Sequence, residues 1–184
     1  MWAHNLTNLF ASPITLTEYF VSHAITAFIK SILVFGIGSL IAYLQFGYSV
    51  IQLPIPFLII LSINLYITGV AIGLVLIGFI FAYGTKIQAL TWGFISIIQP
   101  LASVFYPLSI IPEPFQSLAK IVPLTYMFEA LRQTIRDGAV TVSTQNLLMI
   151  GSLITMLYFF LSLLFFRYLV STSLKTGQFA KNDL

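Results

Sequence analysis

Charge is the scarcest property of this sequence. Thirteen of its 184 side chains are Asp, Glu, Lys or Arg, 7% of the total, against roughly a quarter in soluble globular domains. So few charges cannot cover a water-soluble surface. A hydrophobic content of 59% and a mean hydropathy of +1.00 place the chain in the membrane class. The formal charge of +3 comes from eight dispersed Lys and Arg, so there is no basic patch and nucleic acid is excluded as a partner. Cysteine is absent, which removes disulfides, thiolate nucleophiles and cysteine metal sites. The two histidines, His4 and His23, lie near the N-terminus away from any acidic cluster, and no HExxH or zinc spacing occurs. No GxSxG elbow and no Walker A pattern occur either. The chain therefore offers no catalytic set and no cofactor site, and it does not hydrolyse ATP through a P-loop. Ion-coupled carriers place carboxylates or histidines at membrane depth, and the long apolar runs here carry almost none.

Those runs set the architecture. Residues 31–85, 87–112 and 138–166 contain no Asp, Glu, Lys or Arg. A helix of about 20 apolar residues crosses a bilayer core, and helices satisfy their backbone hydrogen bonds within one segment. The first run is split by Gln45-Phe-Gly-Tyr48 and by Gln52-Leu-Pro-Ile-Pro56, because proline disfavours helix interiors. Spans are predicted near 24–45, 57–83, 88–110 and 146–170. The fold class is an all-α integral membrane protein of about four transmembrane helices. Residues 1–23 carry no Lys or Arg, so no cleaved secretory signal is expected.

Four spans put both termini on one side. That side carries Lys30, Lys86, Arg167, Lys175 and Lys181, and the other Lys120, Arg132 and Arg136. Five positive charges against three favour cytoplasmic termini. Lys30 is expected near the headgroups at the start of the first span.

Three stretches are not simple spans. In residues 2–20, Trp2, Leu6, Leu9 and Phe10 share one helical face. Ser12-Pro13 interrupts the pattern, and Thr15-Leu-Thr-Glu18 has capping-box form. Such an element is either an interfacial anchor or a docking helix for a cytoplasmic partner. In residues 100–123, prolines at 100, 107, 112, 114 and 123 rule out an uninterrupted helix. After the third span ends, Phe115 to Val122 is a short apolar piece of about eight residues broken by Lys120, too short to cross, so the stretch dips into the outer leaflet and returns, or rests on it. It is then either a surface loop or a lid over a pathway. In residues 125–137, Met127, Leu131 and Ile135 form a stripe, Glu129 faces Arg132 at i, i+3 as an exposed pair, and Gly138 is the expected C-cap. Gly69 and Gly73 form a GxxxG step suited to packing within the chain.

The order of these segments resembles a known family, the type-2 membrane domains of ATP-binding-cassette transporters. Asn5-Leu-Thr-Asn-Leu-Phe-Ala-Ser-Pro13 followed by Glu18 is similar to the cytoplasmic connector before that family's third span. Phe105-Tyr-Pro-Leu-Ser-Ile-Ile-Pro112 resembles its proline signature, and Leu118-Ala-Lys-Ile-Val-Pro-Leu-Thr-Tyr126 with Phe128-Glu-Ala-Leu-Arg132 resembles the segment that follows. The resemblance covers nearly the whole chain. Family members have six spans, so the chain corresponds to the C-terminal two-thirds of a permease.

The resemblance implies one membrane domain over residues 1–184. Residues 1–23 form the connector, 24–110 three spans, 111–140 a re-entrant interfacial segment, 146–170 the last span and 171–184 a cytoplasmic tail. It implies that Asn5, Leu6, Leu9, Phe10, Ser12, Pro13 and Glu18 couple the membrane domain to an ABC-type ATP-binding subunit. It implies an outer gate built from Tyr106, Pro107, Pro112, Pro114, Phe115, Ile121, Pro123, Tyr126, Glu129 and Arg132. Phe115 and Ile121 would serve as apolar plugs packed between neighbouring spans against the same segment of a second copy, with Glu129 and Arg132 at the headgroups. A second permease copy in a homodimer, a plasma (bacterial inner) membrane location, and export of a drug, lipid or polysaccharide-type substrate follow in the same way. The alternatives are a non-transporting scaffold or assembly subunit, or an inactive permease fragment. An intramembrane enzyme is disfavoured, since no acid, base, nucleophile and metal converge.

Overall fold

The computed structural model describes residues 13, 15–83 and 87–176, and every regular element among them is helical. Helix α1, Leu16–Phe46, starts where the sequence places its cap. Thr15 is extended (φ −73°, ψ 151°) and its hydroxyl accepts from the Glu18 amide, while the Thr15 amide donates to Glu18 Oε2 at 2.8 Å. With two orphan donors satisfied, the 31-residue helix runs unbroken through the predicted first span for about 46 Å. Gly47 ends it at φ 65°, and its N–H donates to the Tyr43 carbonyl. A side chain there would be strained, so glycine is the residue that can stop the helix.

A 3-10 turn at Val50–Gln52 leads to α2, Ile55–Tyr83. The last helix, α6, is Val142–Thr176. These two are apolar around most of their circumference and pack along much of their length. Leu74, Phe81, Phe166 and Val170 fill one end of the seam. At the other end Phe57, Leu61 and Leu148 meet Met127 and Ala130 of a shorter helix. Gly78 lets α6 approach closely: a β-carbon there would lie 3.1 Å from Leu169 Cδ1. Polar side chains inside the seam are satisfied. Thr68 donates to the Asn64 carbonyl and lies 3.3 Å from Thr155 Oγ1, and Ser173 donates to the Phe81 carbonyl. In hydrocarbon such bonds hold the register of two helices that otherwise slide on similar apolar surfaces.

Three described helices are long and apolar enough to cross a membrane: Thr17–Phe46, Ile55–Tyr83 and Val142–Ser173. The third predicted span differs. Its regular helix α3 is Gln88–Leu101, 14 residues and about 21 Å long. It runs through Pro100 to Leu101 and stops well before residue 110 because Ser103 turns to φ 53°.

Helix α1 touches α2 at few points. Tyr66 OH donates to the Ala24 carbonyl at 2.6 Å, and the Phe28 and Tyr66 rings meet edge to face. Between them opens an apolar cleft of about 810 Å³. Gly69 and Gly73 line it, and added β-carbons there would meet nothing within 4 Å. The GxxxG step therefore faces the cleft rather than a packed helix of this chain.

Candidate functional site

The connector residues Asn5, Leu6, Leu9, Phe10 and Ser12 lie outside the described residues. Pro13 sits at an exposed bend, and Glu18 is an exposed capping carboxylate at the foot of α1.

From Pro107 onward the proline-rich stretch is a zigzag of short helices, and Pro107, Pro112 and Pro123 each stand at the start of one. Pro107 caps a 3-10 turn, Leu108–Ile110. Pro112 caps α4, Glu113–Ala119, which has Pro114 in its first turn. Pro123 opens α5, Pro123–Asp137, which ends on left-handed Gly138. Proline's fixed φ and missing N–H suit a helix start and forbid continuation into one from before it. Neither α4 nor α5 is long enough to cross, and the segment makes no fifth span.

Proline-broken backbone leaves carbonyls that need partners. Several come from polar side chains of the segment itself and of the first turn of α5. Gln116 Nε2 donates to the Ile111 carbonyl at 2.8 Å, Thr125 Oγ1 to Ala119 at 2.7 Å and Tyr126 OH to Lys120 at 2.9 Å. Thr125 is buried and Tyr126 half-buried. Gln116 and Thr125 escape a sequence reading because a single polar residue in an apolar stretch gives no sign of which carbonyl it serves.

Glu129 and Arg132 also differ from expectation. They form the i, i+3 pair, at 3.0 Å, but are only 16% and 23% exposed. They turn inward from α5 onto the end of α3. Glu129 Oε1 accepts both Arg132 Nη1 and, at 2.7 Å, the Leu108 N–H. Arg132 Nη2 donates to the Ser103 carbonyl and, at 3.0 Å, to that of Val104. A guanidinium presents several donors in a fixed fork, so one side chain reaches a carboxylate and two carbonyls together. The pair clamps the turn between α3 and the zigzag. The buried stripe of α5 is also shifted: Pro123, Met127, Ala130 and Thr134 are buried, while Ile135 is exposed.

Phe115 and Ile121 are 50% and 55% exposed, with Phe105 and Ile110 exposed beside them in sequence. Within the single chain they lie on the segment's outer surface rather than between its own spans. Tyr106, Pro112 and Pro114 are exposed and Pro107 half-buried. Gly151 on α6, unmarked in the sequence, is buried where α5 crosses it, close to Tyr126 and Met127. Among the described residues no group of three or more His, Asp or Glu side chains could hold a metal.

Compared with known proteins, residues 3–135 match a family model described as ABC-2 type transporter. The matched region runs from the connector through the zigzag and almost to the end of α5. Neither the curated proteins nor the solved structures gave a match.

Proposed function

Since the chain belongs to the ABC-2 type transporter family, we propose that it is the permease component of an ATP-driven exporter, with ATP hydrolysed by a separate ATP-binding subunit. The family match and three membrane-length helices make it a multi-pass membrane transport component. Beyond that, residues 107–123 act as a lid on the outer side of the pathway. The observation that carries this role is the segment itself: two helical pieces too short to span, Leu108–Ile110 and α4, with Gln116 bonding the Ile111 carbonyl inside it and Glu129 of α5 holding the Leu108 N–H.

The exposed apolar side chains Phe115 and Ile121 suit contact with the same segment of a second copy, which would seal the pathway between two lids. Residues Asn5 to Pro13 supply the contact with the ATP-binding subunit, and α1 carries its motion into the bilayer. Both termini are cytoplasmic in this reading, and the membrane is the plasma or bacterial inner membrane. The substrate is a drug, lipid or polysaccharide-type molecule. No Asp, Glu, Lys, Arg or His interrupts α2, which favours ATP over a proton or sodium gradient as the source of work.

Cysteine labelling tests the arrangement, since the chain has no cysteine of its own. Single cysteines at Gln52 and Ser117, both exposed, are expected to react with a membrane-impermeant maleimide from outside the cell. One at Lys181 is expected to react only after the membrane is opened. External labelling at residue 181 would overturn the cytoplasmic termini, and internal labelling at 117 would overturn the lid's placement.

A further inference from the structure

Two unfavourable features meet at Ser103. Its φ of 53° is the only positive value at a non-glycine residue among those described, in a region that is strained for residues with a β-carbon. Its side chain is also fully buried, with Oγ lacking any hydrogen-bond partner, which forfeits the hydration the hydroxyl had in water. Acting against both is the clamp. Arg132 holds the carbonyls of Ser103 and Val104, while Glu129 holds the Leu108 N–H and Arg132 together. These bonds grip both ends of the turn from residue 103 to 108.

We propose that Ser103, Glu129 and Arg132 form a spring-loaded latch on the lid. With the ion pair in place, the turn is held in its strained form and α4 stays packed against the end of α3. When the pair parts, Ser103 relaxes to an ordinary φ, its hydroxyl gains a partner, and the lid comes free of α3. Backbone strain that persists at one buried residue needs surroundings that over-determine it, and here those surroundings are two side chains on a different helix. Packed elements switch between discrete arrangements rather than deforming smoothly, so the latch has a closed and a released state. Ala102 and Ala119 are fully buried in the closed state, and release exposes them.

The latch rests on the reading of residues 107–123 as an outer lid, but its test is separate. A single cysteine replaces Ala119 in the full chain, embedded in membrane, and its reaction with an impermeant maleimide is timed without nucleotide or substrate. Glu129→Gln and Arg132→Lys weaken the pair with little change in size. Each is expected to speed labelling about tenfold, as loss of a charge-assisted hydrogen bond implies. Ser103→Gly removes the strain and the orphan hydroxyl but keeps the carbonyl that Arg132 binds. It is expected to slow labelling about fivefold. Opposite signs on one readout distinguish a sprung latch from ordinary packing, in which all three changes would loosen the site. Equal rates in all variants, or faster labelling in Ser103→Gly, overturn the latch. If the lid lay elsewhere, the Ser117→Cys variant would label from the wrong side instead.

Discussion

Replacing Gly151 with leucine is expected to abolish the folded state of this chain in detergent. Gly151 lies on α6 where the first turns of α5 cross. A β-carbon there would stand 2.4 Å from Met127 Cε and 2.8 Å from Tyr126 Cβ. The methionine tail can swing aside, but Tyr126 Cβ is fixed to the backbone of α5. Alanine would therefore displace that helix slightly, at about 1–3 kcal/mol, the usual cost of overpacking. Leucine would separate the helices. With them would go the Thr125–Ala119 and Tyr126–Lys120 bonds that fold the zigzag back on itself. Thermal unfolding followed by size-exclusion chromatography should show a lowered midpoint for Gly151→Ala and no monodisperse protein for Gly151→Leu. Gly69→Ala and Gly73→Ala face open space and should leave the profile unchanged. A leucine variant as stable as the parent would contradict the close crossing.

The second large effect is expected at Arg132→Ala. The substitution removes the guanidinium from two carbonyls and a carboxylate, and strands Glu129 where only 16% of its side chain is exposed. Breaking a fully buried pair from one side costs about 3–5 kcal/mol, and partial exposure places this loss at the lower end, about 3 kcal/mol. Glu129→Ala should cost less, because the guanidinium keeps its two carbonyls. Residues in one network are not additive, so the double variant should lose clearly less stability than the sum of the single losses. Midpoints of the four proteins in a double-mutant cycle decide this. Simple additivity would show that the pair does not act as a unit.

The long elements were legible because a backbone in lipid satisfies its hydrogen bonds within a helix, so a long uncharged run reads as one. Thr15, Glu18, Gly47 and Gly138 all sit where helices α1 and α5 begin or end. The third span was less legible, because residues 88–110 are as apolar as the others. What shortens its helix is the left-handed turn at Ser103, and nothing in a serine announces a positive φ. Glu129 and Arg132 were legible as a pair but not in their direction. Helical spacing says that i and i+3 meet, not whether they face headgroups or a neighbouring turn. The partners at Ser103, Val104 and Leu108 lie 21 to 29 residues away in sequence, beyond the reach of periodicity. Gly151 was silent for the same reason: close approach belongs to the helix that crosses it.

Whether this chain carries ATP-driven motion into a membrane span is tested most directly by purifying the full chain from native membranes and assaying bound ATPase. The expected result is co-purification of an ABC-type ATP-binding subunit with vanadate-sensitive ATP hydrolysis. Leu9→Asp, which places a charge among the apolar residues Leu6, Leu9 and Phe10 of the sequence, should lose that subunit while the chain remains membrane-inserted. Absence of an ATP-binding subunit from the parent, or its undiminished retention by Leu9→Asp, would contradict the coupling role.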